Sequence, residues 1–197
     1  HIEQDLIKEN VGSQDQVSAA FGGFNRIEFR PDDSFHVDPV VLSRDRLAEL
    51  QRRLMLCFTG LSRYASDVAK SKIDNFANRE AELKAMYRMV DEAIGVLRDP
   101  AQSIDAFGRL LDESWRQKRR LSAQVSTPEI DDLYARARNR GAIGGKILGA
   151  GGGGFLLLFA APDAHAGIRA ELAKLVHVPM EFENDGSRVV LYQPDGL

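Results

Sequence analysis

The run Gly144-Gly145-Lys146-Ile147-Leu148-Gly149-Ala150-Gly151-Gly152-Gly153-Gly154 is the stretch of the chain most clearly suited to chemistry. Glycine loses more backbone freedom on folding than any other residue, so a run this dense predicts a loop and not a helix or strand interior. A backbone without Cβ atoms lets its amide N–H groups close around an anion. Phe155-Leu156-Leu157-Leu158-Phe159 follows at once and reads as a buried strand that anchors the loop to a sheet. Two generic phosphate motifs are excluded. Gly149 to Gly154 spells G-x-G-x-x-G, but a dinucleotide fingerprint has its strand before the glycines and a helix after, and here the strand is expected after. A Walker loop has Ser or Thr after its lysine, and Lys146 is followed by Ile147. A flexible linker mixes glycine with serine and proline and does not run straight into a buried strand.

A second stretch is Val11-Gly12-Ser13-Gln14-Asp15-Gln16, followed by Ala19-Ala20-Phe21-Gly22-Gly23-Phe24-Asn25. Asp15 stands near the start of a short helical run, Gln16 to Ala20, where a helix N-terminus stabilises a carboxylate. Alone, such a residue is most often a cap or a dipole partner. Taken together, the two stretches resemble the GHMP kinases, the family of galactokinase, homoserine kinase, mevalonate kinase and phosphomevalonate kinase. The glycine loop resembles their third, C-terminal glycine-rich motif. The Asp15 segment resembles the part that carries the catalytic aspartate of the sugar kinases. Within the family the pattern is nearest to the kinases of D-glycero-D-manno-heptose 7-phosphate, while galactose and fucose kinases share the motifs.

The resemblance implies an enzyme that moves the γ-phosphoryl group of ATP to a sugar hydroxyl, with ATP and Mg2+ as cofactors and a sugar or sugar phosphate as partner. By resemblance, Asp15 is the catalytic residue, Gln14 meets the substrate, and Gly149, Ala150, Gly151, Gly152 and Gly153 lie beside the ATP phosphates. Arg63, with Lys70 and Lys72, forms a basic cluster after Thr59-Gly60. A guanidinium there suits bidentate pairing with a phosphate on the substrate; a surface arginine held in salt bridges is the competing reading. In one place the chain departs from the family: Leu148 stands where Ser or Thr commonly precedes Gly-Ala-Gly, so a hydroxyl contact is lost and steric shaping is left. The family's N-terminal substrate motif and its serine-rich ATP loop have no counterpart here, so the chain is expected to be part of a longer protein and inactive alone. A non-catalytic ferredoxin-like module for ligand sensing or oligomerisation is the alternative, and kinase activity of the fragment against the full-length chain discriminates the two.

Composition sets the surroundings. A chain of 197 residues that is 44% hydrophobic and 28% charged is ordinary for a globular protein with one or two domains. A net charge of -3 gives no electrostatic case for nucleic acid, and no segment approaches the ~20 apolar residues that span a bilayer. The lone Cys57, between Leu56 and Phe58, reads as a buried thiol in a reducing, cytoplasmic setting. His165 and His177 are singletons without metal-ligand spacing, so no metal-binding residues are expected. A homodimer is compatible with the family.

The elements that must position these residues follow from periodicity. Residues 1–10 read as an amphipathic helix. The segments 21–29 and 35–41 read as a hairpin around Pro31-Asp32-Asp33-Ser34, and residues 44–51 as a charged connector. Leu54 to Phe58 reads as a buried strand. A long helical region follows with a break near residues 75–79, because Glu80 falls on its apolar stripe. Ile104, Phe107, Leu111, Trp115 and Leu121 define the next helix, and Thr127-Pro128-Glu129 starts another. After the strand 155–160 a helix starts at Pro162-Asp163, and 178–183 with 187–192 reads as a hairpin across Asn184-Asp185-Gly186. This order predicts an α+β fold, an antiparallel sheet with helices on one face. The resemblance makes it the ferredoxin-like C-terminal domain of GHMP kinases over residues 46–197. Residues 1–45 would then be the C-terminal tail of an N-terminal domain like ribosomal protein S5.

Overall fold

The computed structural model describes residues 2–8, 11–61 and 65–192. The chain divides into two compact units: residues 1–11 with 42–180, and residues 12–41 with 181–197.

In the larger unit, residues Ile2–Leu6 form a short π-helical turn within the stretch expected as a helix; residues 1, 9 and 10 of that stretch lie outside the described residues. Residues 44–51, expected as a connector, lie instead in helix α2 (Arg44–Arg53). Ser43 caps it, its side chain accepting from Arg46 N at 3.2 Å. Arg46 then turns its guanidinium onto the carbonyls of Val96, Leu97 and Gln102 at 2.7, 3.2 and 2.9 Å. The first two carbonyls belong to the last turn of helix α4 (Glu80–Arg98) and the third to the segment after it, so the charge count that suggested a connector missed a buried structural arginine.

Strand β3 (Leu54–Phe58) is followed by α3 (Ala65–Ile73), a 3-10 turn at Phe76–Asn78, α4 (Glu80–Arg98), α5 (Asp105–Leu121) and α6 (Pro128–Asn139). The break expected near residues 75–79 is present, and Asn75 Nδ2 ties it to Leu121 O at 2.8 Å. Thr127 caps α6, its side chain accepting from Ile130 N at 3.3 Å. Strands β4 (Ala142–Ile147) and β5 (Phe155–Ala160), helix α7 (His165–Glu171) and strand β6 (Val176–Val178) complete the unit. The sheet runs β4-β5-β3-β6 with every neighbouring pair antiparallel. This strand–helices–strand–strand–helix–strand connectivity is that of a ferredoxin-like sheet. Leu158 and Phe159 point to opposite faces and both are fully buried, so cover on one face alone does not describe β5. Cys57, Trp115, Ile130, Leu156, Leu158, Ile168 and Leu172 belong to one continuous core.

The smaller unit holds α1 (Gln14–Phe21) and the hairpin of β1 (Asn25–Phe29) and β2 (Phe35–Pro39), paired with Ile27 opposite Val37. Its turn is the expected Pro31–Ser34, where Asp32 Oδ1 accepts from Ser34 N at 3.1 Å and Asp33 adopts φ 62°. The second expected hairpin is not formed. Of residues 176–192 only Val176–Val178 is strand, and it pairs with β3. The backbone of 183–187 finds other partners: Gly23 N donates to Glu183 O and Ser187 N to Ala19 O, both at 2.9 Å. The Asp185-Gly186 segment lies so close to the end of α1 that a Cβ on Gly22 or Gly186 would strike backbone. No turn forms at Asn184-Asp185-Gly186, and tertiary hydrogen bonds take the place of the cross-strand ladder.

Candidate functional site

Two of the glycines prove to be strand. Gly144 and Gly145 lie inside β4, contrary to the expectation of a loop throughout. The reason is close crossing: a Cβ on Gly144 would strike Gly108 O on α5, and one on Gly145 would come 2.5 Å from Leu157 O. A strand therefore stands on both sides of the loop. The dinucleotide fold stays excluded, because a strand and no helix follows.

The loop itself is residues 148–154, closed by Leu148 N donating to Phe155 O at 2.9 Å. Gly149, Gly151, Gly152 and Gly154 have φ of 64°, 113°, 75° and 84°, a region that side chains disfavour. The loop is sewn down on two sides. Gly152 N donates to Val125 O and Gly154 N to Leu61 O, both at 2.9 Å, and Thr59 gives Gly154 O its N–H and its hydroxyl at 2.9 and 2.8 Å. A Cβ on Gly151 would lie 2.7 Å from Val125 O, and one on Gly153 would strike Leu61 O. Gly151 and Gly153 serve close backbone approach. Among the described residues the amides of Gly149, Ala150, Gly151 and Gly153 have no hydrogen-bond partner.

Under this loop lies a residue that the sequence reading missed. Lys118, on α5 and only 7% exposed, donates from Nζ to Ile147 O at 2.9 Å and Gly149 O at 2.6 Å. Burial first, then the neighbouring Lys146 and Lys72, pushes its pKa down to about 7. Burial and Lys72 also lower that of Lys146, whose Nζ donates to Ser114 Oγ at 3.4 Å; burial lowers that of Lys72. The signal was available: Lys118 stands three residues after Trp115 and three before Leu121, on the apolar stripe of its helix. A lysine in such a stripe has a buried partner to find.

The remaining candidates are placed as follows. Gln14 and Asp15 occupy the exposed first turn of α1 in the smaller unit, behind Ser13, whose side chain makes no cap bond. Asp15 is thus an accessible carboxylate. Arg63 lies outside the described residues; Lys70 and Lys72 lie in the last turn of α3. Cys57 is fully buried, 3.3 Å from His177 Nδ1, and burial pushes its thiol up to about 11, which suits a structural thiol and no nucleophile. Among the described residues no three His, Cys, Asp or Glu come together to hold a metal ion. No helix among them is long and apolar enough to cross a membrane.

Residues 92–175 match the family model for the C-terminal domain of GHMP kinases. A D-glycero-alpha-D-manno-heptose 7-phosphate kinase from Campylobacter jejuni is 35% identical over 162 residues, which cover 82% of this chain and 48% of that protein. The crystal structure of a D-glycero-D-manno-heptose 1-phosphate kinase from Bacteroides thetaiotaomicron superposes with a TM-score of 0.66 at 24% identity, over 94% of this chain and 50% of that one. A putative sugar kinase from Campylobacter jejuni superposes with a TM-score of 0.62 at 29% identity, over 94% and 53%. The chain thus spans about half the length of these relatives.

Proposed function

We propose that this chain, which carries a GHMP kinase C-terminal domain, works as part of an ATP-dependent sugar kinase of the heptose-phosphate type. In this reading residues 46–197 are the C-terminal domain and residues 1–45 the tail of an S5-like N-terminal domain. A sugar hydroxyl oxygen attacks the γ-phosphorus of ATP, and Asp15 accepts its proton. The new O–P bond forms as the bond to the bridging oxygen breaks, and ADP leaves with the electron pair. Little covalent help is required; positioning and charge neutralisation dominate phosphoryl transfer. Gln14 contacts the sugar, and Arg63 pairs with a phosphate already on it. Gly149, Ala150, Gly151, Gly152 and Gly153 lie beside the ATP phosphates, with Leu148 shaping the loop and offering no hydroxyl. A cytoplasmic setting suits both ATP and the reduced thiol of Cys57.

The observation that carries this reading is the 35% identity to a heptose 7-phosphate kinase over 162 residues. The free amides of the glycine loop support it. The test is a panel of sugars and sugar phosphates given with ATP to the protein at the full length of its relatives. Heptose 7-phosphate is expected to lead galactose and fucose. ADP release that no sugar stimulates contradicts the proposal.

A further inference from the structure

Three lysines from three elements lie within electrostatic reach of one another, with Lys118 bonded to the glycine loop: Lys72 in the last turn of α3, Lys118 on α5 and Lys146 in β4. Among the described residues no carboxylate pairs with any of them. Like charges gathered out of water repel and are costly, and an apolar side chain of similar length would fill the same space at less cost. The hydrogen bonds of Lys118 suggest what the cost supports. It holds the carbonyls of Ile147 and Gly149. In a trans peptide the N–H points opposite to the carbonyl, so the amide of Ala150 is turned away from the ammonium. That amide and those of Gly149, Gly151 and Gly153 are the ones without partners.

We propose that Lys118 is the positioning residue of the glycine loop: it keeps the Ile147 and Gly149 carbonyls inward, leaves unpartnered N–H groups for a phosphoryl-type dianion, and with Lys72 and Lys146 lays positive potential behind that dianion. The inference rests on the kinase reading for which phosphate binds, a nucleotide's or a sugar ester's, and not for the existence of the site.

A charge signature follows. The groups facing Lys118 are the Ile147 and Gly149 carbonyls, Lys146 from β4 and Lys72 from α3. Without ligand Lys118 loses its proton at about pH 7, and a dianion raises that value. Below pH 7 the ammonium is already present and affinity is full. Above it, binding must take up a proton, so affinity falls as pH rises until the bound-state value is passed.

Sulfate is a dianion throughout this range and serves as the probe, titrated calorimetrically into the protein at a series of pH values. Wild-type affinity is expected to fall by about fivefold or more between about pH 6 and about pH 9. Lys118→Arg, permanently charged, should bind without that fall. Lys118→Met should bind weakly at every pH. Lys72→Gln removes a like charge, so the fall should begin at a higher pH. A flat wild-type profile, or Lys118→Met with wild-type affinity, overturns the proposal. If Lys118→Met does not fold, an unmoved onset in Lys72→Gln overturns it instead. Competition by ADP or by mannose 6-phosphate tells the nucleotide from the sugar ester. A protein that shows this profile yet transfers no phosphate keeps the site and loses the kinase.

Discussion

Gly153 and Gly149 sit four residues apart in one loop and face opposite constraints. A Cβ on Gly153 meets the backbone of Leu61, which cannot swing aside, whereas one on Gly149 meets nothing within 4 Å and only its φ of 64° objects. Gly149→Ala is expected to cost about 1 kcal/mol, the penalty for a left-handed residue. Gly153→Ala is expected to cost roughly 1–3 kcal/mol through overpacking, with a correspondingly larger fall in Tm. Equal falls would mean that the loop is not built on close approach to Leu61. The glycine run could be singled out from sequence because so dense a run is rare, and Asp15 only because the residues around it resemble a family motif. Lys118 was passed over because it looks like any lysine until its place on an apolar stripe is counted. The distinction between Gly144, which lets a helix cross, and Gly151, which lets a loop turn, depends on distant segments that local sequence does not carry.

The helices between residues 65 and 139 and the strands β3 and β5 could be read from periodicity and caps, because burial there repeats at helix or strand spacing, whereas β4 was missed because its glycines read as loop. Helix α2 was hidden by its charge: Arg46 gains its place from carbonyls about fifty residues away. The expected 178–192 hairpin failed for a related reason: the Asp-Gly signal is local, and the backbone around it bonds instead to Ala19 and Gly23. The crossing of α5 over β4 is the most sensitive joint. A methyl group at Gly144 strikes Gly108 O and comes within 2.9 Å of Asp112 N, so the helix must move off the strand. Gly144→Ala is expected to cost about 3 kcal/mol. It should also loosen the loop beyond β4, read as faster amide exchange at Leu148 and Gly152, both hydrogen-bonded in the native loop. Wild-type stability in that variant would show that α5 does not press on β4 as described.

At the scale of the molecule the two candidate stretches lie in different units, Asp15 in the smaller and the glycine loop in the larger. The chain covers 48% of the length of a heptose 7-phosphate kinase relative, and in the kinase reading proposed above the motif that wraps the ATP phosphates lies outside it. The 197-residue chain alone is therefore expected not to turn over ATP, and turnover by the purified fragment would overturn the assignment of the missing motif. The central claim is sugar phosphorylation with Asp15 as proton acceptor, and one comparison addresses it most directly. Sugar-dependent ADP release with heptose 7-phosphate would be measured for the protein at the full length of its relatives and for its Asp15→Asn variant. The account predicts phosphosugar and ADP in equal amounts from the wild type, and a rate lower by roughly two to four orders of magnitude in a variant with unchanged Tm. An Asp15→Asn protein that keeps the wild-type rate, or a wild type whose ADP release ignores the sugar, would contradict it.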